Sequence, residues 1–428
     1  MYQKQLWGAA LTLLVMTVVI PPIQADDWPQ WRGIHRDAKS GETGLLSVWP
    51  EGGPKLVWNS QEVNNGNGIG RGLGSISVAN GKIYTMGDQR GTGCFVYCLD
   101  EKTGKNLWET KISDASRDGP QCTPTVDGDK VYAISRQGNL VCLNANDGKL
   151  VWQTDFGGDF GGRIMSRWDY SESPLIDGDK LICTPGADDA AMVALNKKDG
   201  TVIWKAGVPQ NGGAGYASIV TAYAGGIKQY ITFTRRYIIG VKASDGTLLW
   251  QYKKVTNGTA NIPTPIVKDD LVFCSTAYGT GAALLKLIPD GTGGVNAKEL
   301  YFYRGNTLQN HHGGIVLVDD HVYGGHGHND GQPFCLEMKS GKFAWGPEKN
   351  PASGSFSVIS ADGHLYFRYQ DGTMFLVEAT PEKFHVKSSF SLPRESGRGR
   401  SAYTHPVIAN GKLYIRGSNM LLCYDIKK

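Results

Sequence analysis

The chain is predicted to be all-β: an eight-bladed β-propeller of four-stranded antiparallel blades, closed by a strand from near its N-terminus. Three observations predict this. A unit of about 47 residues recurs eight times along the chain. Inside each unit apolar and polar residues alternate with period 2, and tight turns rich in Gly, Asn and Asp separate the alternating runs. The last unit lacks its closing segment, and a segment of that type stands ahead of the first unit.

The first element is a leader. Lys4 is the only charge before an apolar run from Leu6 to Ile20, Pro21 and Pro22 end the run, and Ile23-Gln24-Ala25 fits a cleavage site. The run is shorter than the roughly 20 residues a membrane-spanning helix needs. Residues 1–25 are therefore expected to be a signal peptide, an uncleaved anchor being the alternative. No cysteine follows the run, so the chain is expected to be exported, periplasmic or secreted, without a lipid anchor. No other stretch is long and apolar enough to form a transmembrane segment. Residues 26–53 form a non-repeat lead carrying Trp28, Trp31 and Trp49, and residues 54–428 a single propeller domain. The 44 Lys and Arg nearly balance the 40 Asp and Glu. Nothing in that balance argues for a nucleic-acid partner or an anionic membrane.

The second strand of each unit is the clearest ruler, with Tyr84, Tyr132, Ile182, Tyr230, Phe273, Tyr323, Tyr366 and Tyr414 at equivalent places. First strands also match, as in Thr123-Pro124-Thr125-Val126, Ser173-Pro174-Leu175-Ile176 and Thr264-Pro265-Ile266-Val267. The unit's end is as regular. Cys98-Leu99-Asp100 leads through Thr103-Gly104 to Trp108, and Cys142-Leu143-Asn144 through Asp147-Gly148 to Trp152. Ala194-Leu195-Asn196 leads through Asp199-Gly200 to Trp204, and Cys335-Leu336-Glu337 through Ser340-Gly341 to Trp345. The fifth and seventh units lack the Trp. A small four-stranded sheet cannot bury both faces alone, so such sheets stack, and the recurring Trp is expected to wedge between them. Helical repeats of similar length would need a 3.6-residue period, which is absent.

The eighth unit ends at Cys423-Tyr424-Asp425, and Gly53-Pro54-Lys55-Leu56-Val57-Trp58 resembles the missing strand. Pairing the two closes the ring and removes free edges. Four of the eight cysteines (Cys98, Cys142, Cys335, Cys423) occupy the small position of the unit or its eighth-unit equivalent. Free buried thiols are therefore expected rather than a disulfide framework. No C-x-x-C is present.

These units resemble the repeat of the PQQ-like (pyrroloquinoline quinone) β-propeller family over about residues 26–428. Asp27-Trp28-Pro29-Gln30-Trp31-Arg32-Gly33, Tyr170-Ser171-Glu172-Ser173-Pro174 and His311-His312-Gly313-Gly314 are similar to an exported subfamily. The family holds quinoprotein alcohol dehydrogenases as well as non-catalytic scaffolds of the BamB type. The dehydrogenase resemblance implies PQQ above the channel, with calcium held by a convergent Glu, Asn and Asp. Glu172 and Asn261 would supply two of these, with Trp168 as a stacking floor and Asp169 as a base. No matching Asp is found at an adjacent blade start, and the Cys-Cys pair common in the dehydrogenases is missing.

Innermost propeller strands begin around one channel mouth, where residues of several blades converge. The candidates there are Arg71, Gln121, Trp168, Asp169, Tyr170, Glu172, Tyr216, Asn261, His311, His312, Arg400, Tyr403 and His405. His326 and His328 form a His-x-His pair that would share one strand face, a geometry metals use. Arg394, Arg398 and Arg400 are candidates for an anion. No nucleophile elbow, zinc-protease or phosphate-loop motif occurs. The sequence thus reads as an exported, non-catalytic binding or scaffold propeller for a protein or glycan partner, needing no cofactor. The alternative is a PQQ- and calcium-dependent dehydrogenase of alcohols or sugars.

Overall fold

A computed structural model of the chain describes residues 27–393 and 404–428. Among these residues the strands form eight separate four-stranded antiparallel sheets. The leader, Arg394, Arg398, Arg400 and Tyr403 lie outside them. Blade 1 comprises Ser77–Ala79, Lys82–Gln89, Gly93–Asp100 and Asn106–Ser113, ordered from the axis outward. Blades 2 to 7 repeat this order, their first strands being Thr125–Asp127, Leu175–Asp177, Val220–Ala224, Ile266–Lys268, Ile315–Val318 and Phe356–Ala361. The turn between first and second strands has two residues. In blade 1 these are Asn80 and Gly81, at φ of 53° and 73°, a left-handed pair that Asn and Gly tolerate.

Blade 8 closes as the sequence predicts. Val407–Ala409, Lys412–Arg416 and Leu421–Asp425 supply three strands, and Lys55–Asn59 supplies the fourth, with Lys55 opposite Asp425 and Trp58 opposite Cys423.

The recurring indole is a joint between neighbouring blades. In four blades its N–H donates to a carbonyl in the next blade: Trp58 to Glu101 (3.1 Å), Trp108 to Ala145 (3.2 Å), Trp152 to Lys197 (3.0 Å) and Trp345 to Thr380 (2.9 Å), whereas Trp250 donates to Gln229 of its own blade. The ring lies on the turn glycine of the next blade. Gly104, at φ 71°, would put a Cβ within 2.6 Å of the Trp58 ring. Small residues complete the joint. Cys98, Cys142, Cys335 and Cys423 each stand in the pairing register between a ruler tyrosine and the Trp. In those blades the two rings lie 6.0–6.1 Å apart. All eight cysteines are buried free thiols.

The two units without Trp are compensated differently. In blade 5 Tyr301 takes the place, its hydroxyl donating to the Met338 carbonyl at 2.7 Å. In blade 7 the place falls to Ser388, whose hydroxyl accepts from the backbone N–H of Trp49 (2.9 Å). The Trp49 ring packs 5.9 Å from the ruler Tyr366. The lead therefore lends blade 7 its missing indole.

Two features depart from the sequence reading. The ruler of blade 4 is Ile231, not Tyr230. In the register of that blade Trp250 pairs with Gly240 and Gly240 with Ile231, so the equivalent position is one residue beyond Tyr230. A one-residue shift turns a side chain to the other face, and Tyr230 stacks instead on Trp204 of blade 3. Every outer strand also carries a bulge just before the Trp position, at Leu107, Val151 and Ile203 among others. The bulged residues face solvent, Leu107 at 51% exposure. Bulges sharpen the twist of an outer strand and spoil its edge as a pairing template.

The lead is a plug. Trp28 pairs with Val78 of blade 1. Three residues later the Trp31 indole donates to Thr264 Oγ1, immediately before blade 5, at 3.0 Å. Blades 1 and 5 are opposite members of the ring, so so short a segment joins them only by crossing the axis. Arg32 then donates to the Ile315 carbonyl (2.9 Å) and Arg36 to those of Ser173 (2.7 Å) and Pro174 (3.0 Å). Ser360 of blade 7 exchanges backbone bonds with Ala38 and Ser40, and Leu46 donates to Ile426 beyond blade 8.

Candidate functional site: a blind cup at the channel mouth

Among the described residues the plug, through Trp31, forms one wall of a cavity in the channel. This cavity is a cup of about 590 Å³, inside the range of small-ligand sites. Its floor is held by hydroxyls at the starts of the inner strands. The Ser75 N–H donates to Thr123 Oγ1 (3.0 Å), the Thr123 N–H to Ser173 Oγ (2.9 Å) and the Ser173 N–H to Ser218 Oγ (2.9 Å), each bond crossing to the next blade. This stitching brings residues of distant sequence to one mouth.

Of the candidates read from the sequence, Arg71, Gln121, Trp168, Tyr216, His311, His312 and His405 line the cup, and so does His328. Trp168 and Tyr216 meet edge to face with ring centres 6.2 Å apart. On the neighbouring wall, His311 packs against His312 at 3.7 Å and His328 at 4.0 Å, with Tyr278 4.5 Å from His328. Trp31 and His405 meet at 4.7 Å. Burial, reinforced by His328, pushes His311 down to about 4, and burial, reinforced by the Arg32 charge, pushes His405 down to about 3. His312 is pushed well below the usual histidine range by burial and the neighbouring imidazoles. At neutral pH these three rings are uncharged, and each offers one donor and one acceptor.

The other candidates point elsewhere. Glu172 is buried, its carboxylate accepting from the Thr184 N–H and from Thr184 Oγ1 (2.7 Å). Burial raises it to about 7 against the pull of Thr184 and Arg36. The Asn261 amide donates to the Thr234 (2.9 Å) and Arg235 (3.1 Å) carbonyls, and its oxygen accepts from the Asn257 N–H (3.0 Å). Asp169 is held by Arg136 at 2.9 Å. Tyr170 is buried and donates to the Pro185 carbonyl. The strand His321–His326 ends at His326, and Gly327 turns the chain at φ 103°. His326 therefore accepts from the Gln309 N–H while His328 joins the imidazole stack, and the two do not share a strand face. Among the described residues no group of three or more His, Cys, Asp or Glu is placed to hold a metal ion. Glu172 and Asn261, the two donors a PQQ–calcium centre would take, and Asp169, its would-be base, are thus spent on Thr184, loop carbonyls and Arg136 and do not fit it.

Sequence reasoning missed Trp31, Tyr278 and Asp118 in the cup. Trp31 belongs to the non-repeat lead, for which the period gives no position. Tyr278 follows a second strand, a place the rule of inner-strand starts does not reach.

Plug, stitched inner strands and cup together define a closed eight-bladed propeller of the PQQ-like repeat type. A family model described as outer membrane protein assembly factor BamB matches residues 92–347, and the chain belongs to that family. BamB of Yersinia pestis is 27% identical over 250 residues, which is 54% of this chain and 58% of that relative's length. Among solved structures, BamB from Moraxella catarrhalis superposes with a TM-score of 0.60 at 14% identity, over 83% of this chain and 96% of that one. Quinohemoprotein alcohol dehydrogenase from Comamonas testosteroni gives a TM-score of 0.61 at 13% identity, over 93% of this chain and 80% of that one. At such identities the likeness concerns the fold.

Proposed function

We propose that this chain is an exported, non-catalytic binding propeller that holds a protein or glycan partner at the cup. The observation that carries the reading is the cup's chemistry. Its walls are neutral imidazoles, aromatic rings and hydroxyls with Arg71 and Arg167 at the rim, while among the described residues the acids nearest the mouth are bound to Arg136 or Thr184. Such a surface recognises by shape and hydrogen bonding, and among the described residues it shows no free acid–base pair for proton transfer. Membership of the BamB family supports a partner-holding role, and the leader supports export. Among the described residues no helix is long and apolar enough to cross a membrane.

The test is capture of exported proteins and glycans of the native host on the immobilised full chain. Gln121→Trp fills the cup, and Tyr223→Ala alters an exposed site on another face. Saturable capture that survives Tyr223→Ala and disappears with Gln121→Trp is expected. Equal capture by both variants would refute the cup as the site.

A further inference from the structure

The cup's shape and charge narrow its ligand further. The floor is blocked by Trp31, so a polymer enters end-on and only its terminal residues are held. Aromatic faces stand on neighbouring walls about a quarter-turn apart, with Trp168 and Tyr216 near blades 3 and 4, and Tyr278 with the imidazole stack near blades 5 and 6. Rings of this kind pack against the C–H faces of a sugar while the polar edges stay bonded. Between them lie groups that both donate and accept, the neutral imidazoles, the serine hydroxyls and the amides of Gln121 and Asn329. A sugar hydroxyl also donates and accepts, so it suits these groups. An apolar peptide side chain does not, because aliphatic lining is confined to Leu73, Ala260 and Ile262.

The rim adds a charge preference. Arg71 and Arg167 line the cup and are solvent-exposed. Arg71 donates to the Arg117 carbonyl (3.1 Å), and Arg167 lies 4.8 Å above the Trp168 ring. Among the described residues neither guanidinium is in an ion pair, whereas Asp118 and Asp169 share the buried Arg136. The acids of the rim are thus met by a cation of their own, and two arginines are left facing the opening. A guanidinium at such a place takes a carboxylate through paired N–H donors.

We infer that the cup binds the terminal residue of an acidic glycan, a uronic-acid sugar packed between Trp168 and the imidazole stack with its carboxylate on Arg71 and Arg167. The inference rests on the cup being the binding site. It is tested by calorimetric titration of the full-length protein with oligogalacturonate, with a neutral oligosaccharide of equal length and with an acidic peptide. Oligogalacturonate is expected to bind at least 10-fold more tightly than the other two. The double variant Arg71→Ala/Arg167→Ala should lose at least 10-fold of that affinity with an unchanged melting temperature, both side chains being exposed. Equal affinity for acidic and neutral sugars, preference for the peptide, or an unmoved double variant would overturn the inference. If no sugar binds while Gln121→Trp still abolishes partner capture, the sugar assignment alone falls. If oligogalacturonate binds Gln121→Trp as well as it binds the native chain, the cup itself falls.

Discussion

Replacing Trp58 by alanine tests the closure of the ring where it is most exposed to doubt, since this strand comes from the opposite end of the sequence. The indole is 6% exposed, stacks near Tyr414 and bonds to Glu101 across the joint with blade 1. Truncating a buried Trp costs about 3–5 kcal/mol through lost transfer energy and the cavity left behind. About 1 kcal/mol more is lost with the hydrogen bond. An unfolding entropy of about 2.1 cal/mol/K per residue, over roughly 400 residues, turns 4 kcal/mol into a fall in Tm of about 5 °C. Trp152→Ala is the internal control. Trp152 makes the same joint, with a 3.0 Å bond to Lys197 and a ring 6.1 Å from Tyr132, but between two blades that are contiguous in sequence. Differential scanning calorimetry of both variants should show Trp58→Ala losing at least as much as Trp152→Ala. A fall below about 1 °C for Trp58→Ala beside a full loss for Trp152→Ala would refute the reasoning, because the closing strand would then carry no share of the fold's stability.

Two further outcomes follow from buried groups. Counting thiols by mass spectrometry in denaturant should find all eight cysteines free, and native labelling should be slow, since burial pushes Cys98 and Cys423 up to about 12. A disulfide at Cys98, Cys142, Cys335 or Cys423 would contradict the joint described above. For Glu172 the folded pKa is raised, so the fold favours the protonated form. That contribution is full below about pH 4.5 and is lost as pH rises through about 7. Glu172→Gln should therefore gain stability relative to the native chain between pH 4.5 and 8, by about 3 kcal/mol, read from urea midpoints at the two pH values. A constant difference across that range would contradict it.

The period in the sequence carried most of the fold, because one physical joint repeats. A small residue, a turn Gly and a Trp at fixed spacing are the parts of the indole contact itself, and their recurrence exposes the blades. The closing strand was legible for the same reason, Trp58 being one more copy of the joint. The shift at Tyr230 was not, because Lys228-Gln229-Tyr230-Ile231 offers two apolar residues in a row and only the pairing through Gly240 to Trp250 chooses between them. The plug was hidden for a different reason. Trp28, Trp31 and Arg36 act through single contacts to scattered backbone groups, which leave no pattern along the chain. For the cup, position near an inner-strand start found Trp168, Tyr216, His311 and His405, but it could not tell a side chain facing the cup from one turned into the core. Glu172 and Asn261 sit at such starts and are bound to Thr184 and to loop carbonyls instead.

The central claim is that this propeller binds at its cup without catalysing a quinone-dependent reaction. The most direct measurement is dye-linked oxidation of a panel of alcohols and sugars by the full chain supplied with PQQ and Ca²⁺, with calorimetry of PQQ binding alongside. Neither stoichiometric binding nor turnover is expected. Stoichiometric PQQ binding with turnover that disappears in Glu172→Ala would contradict it.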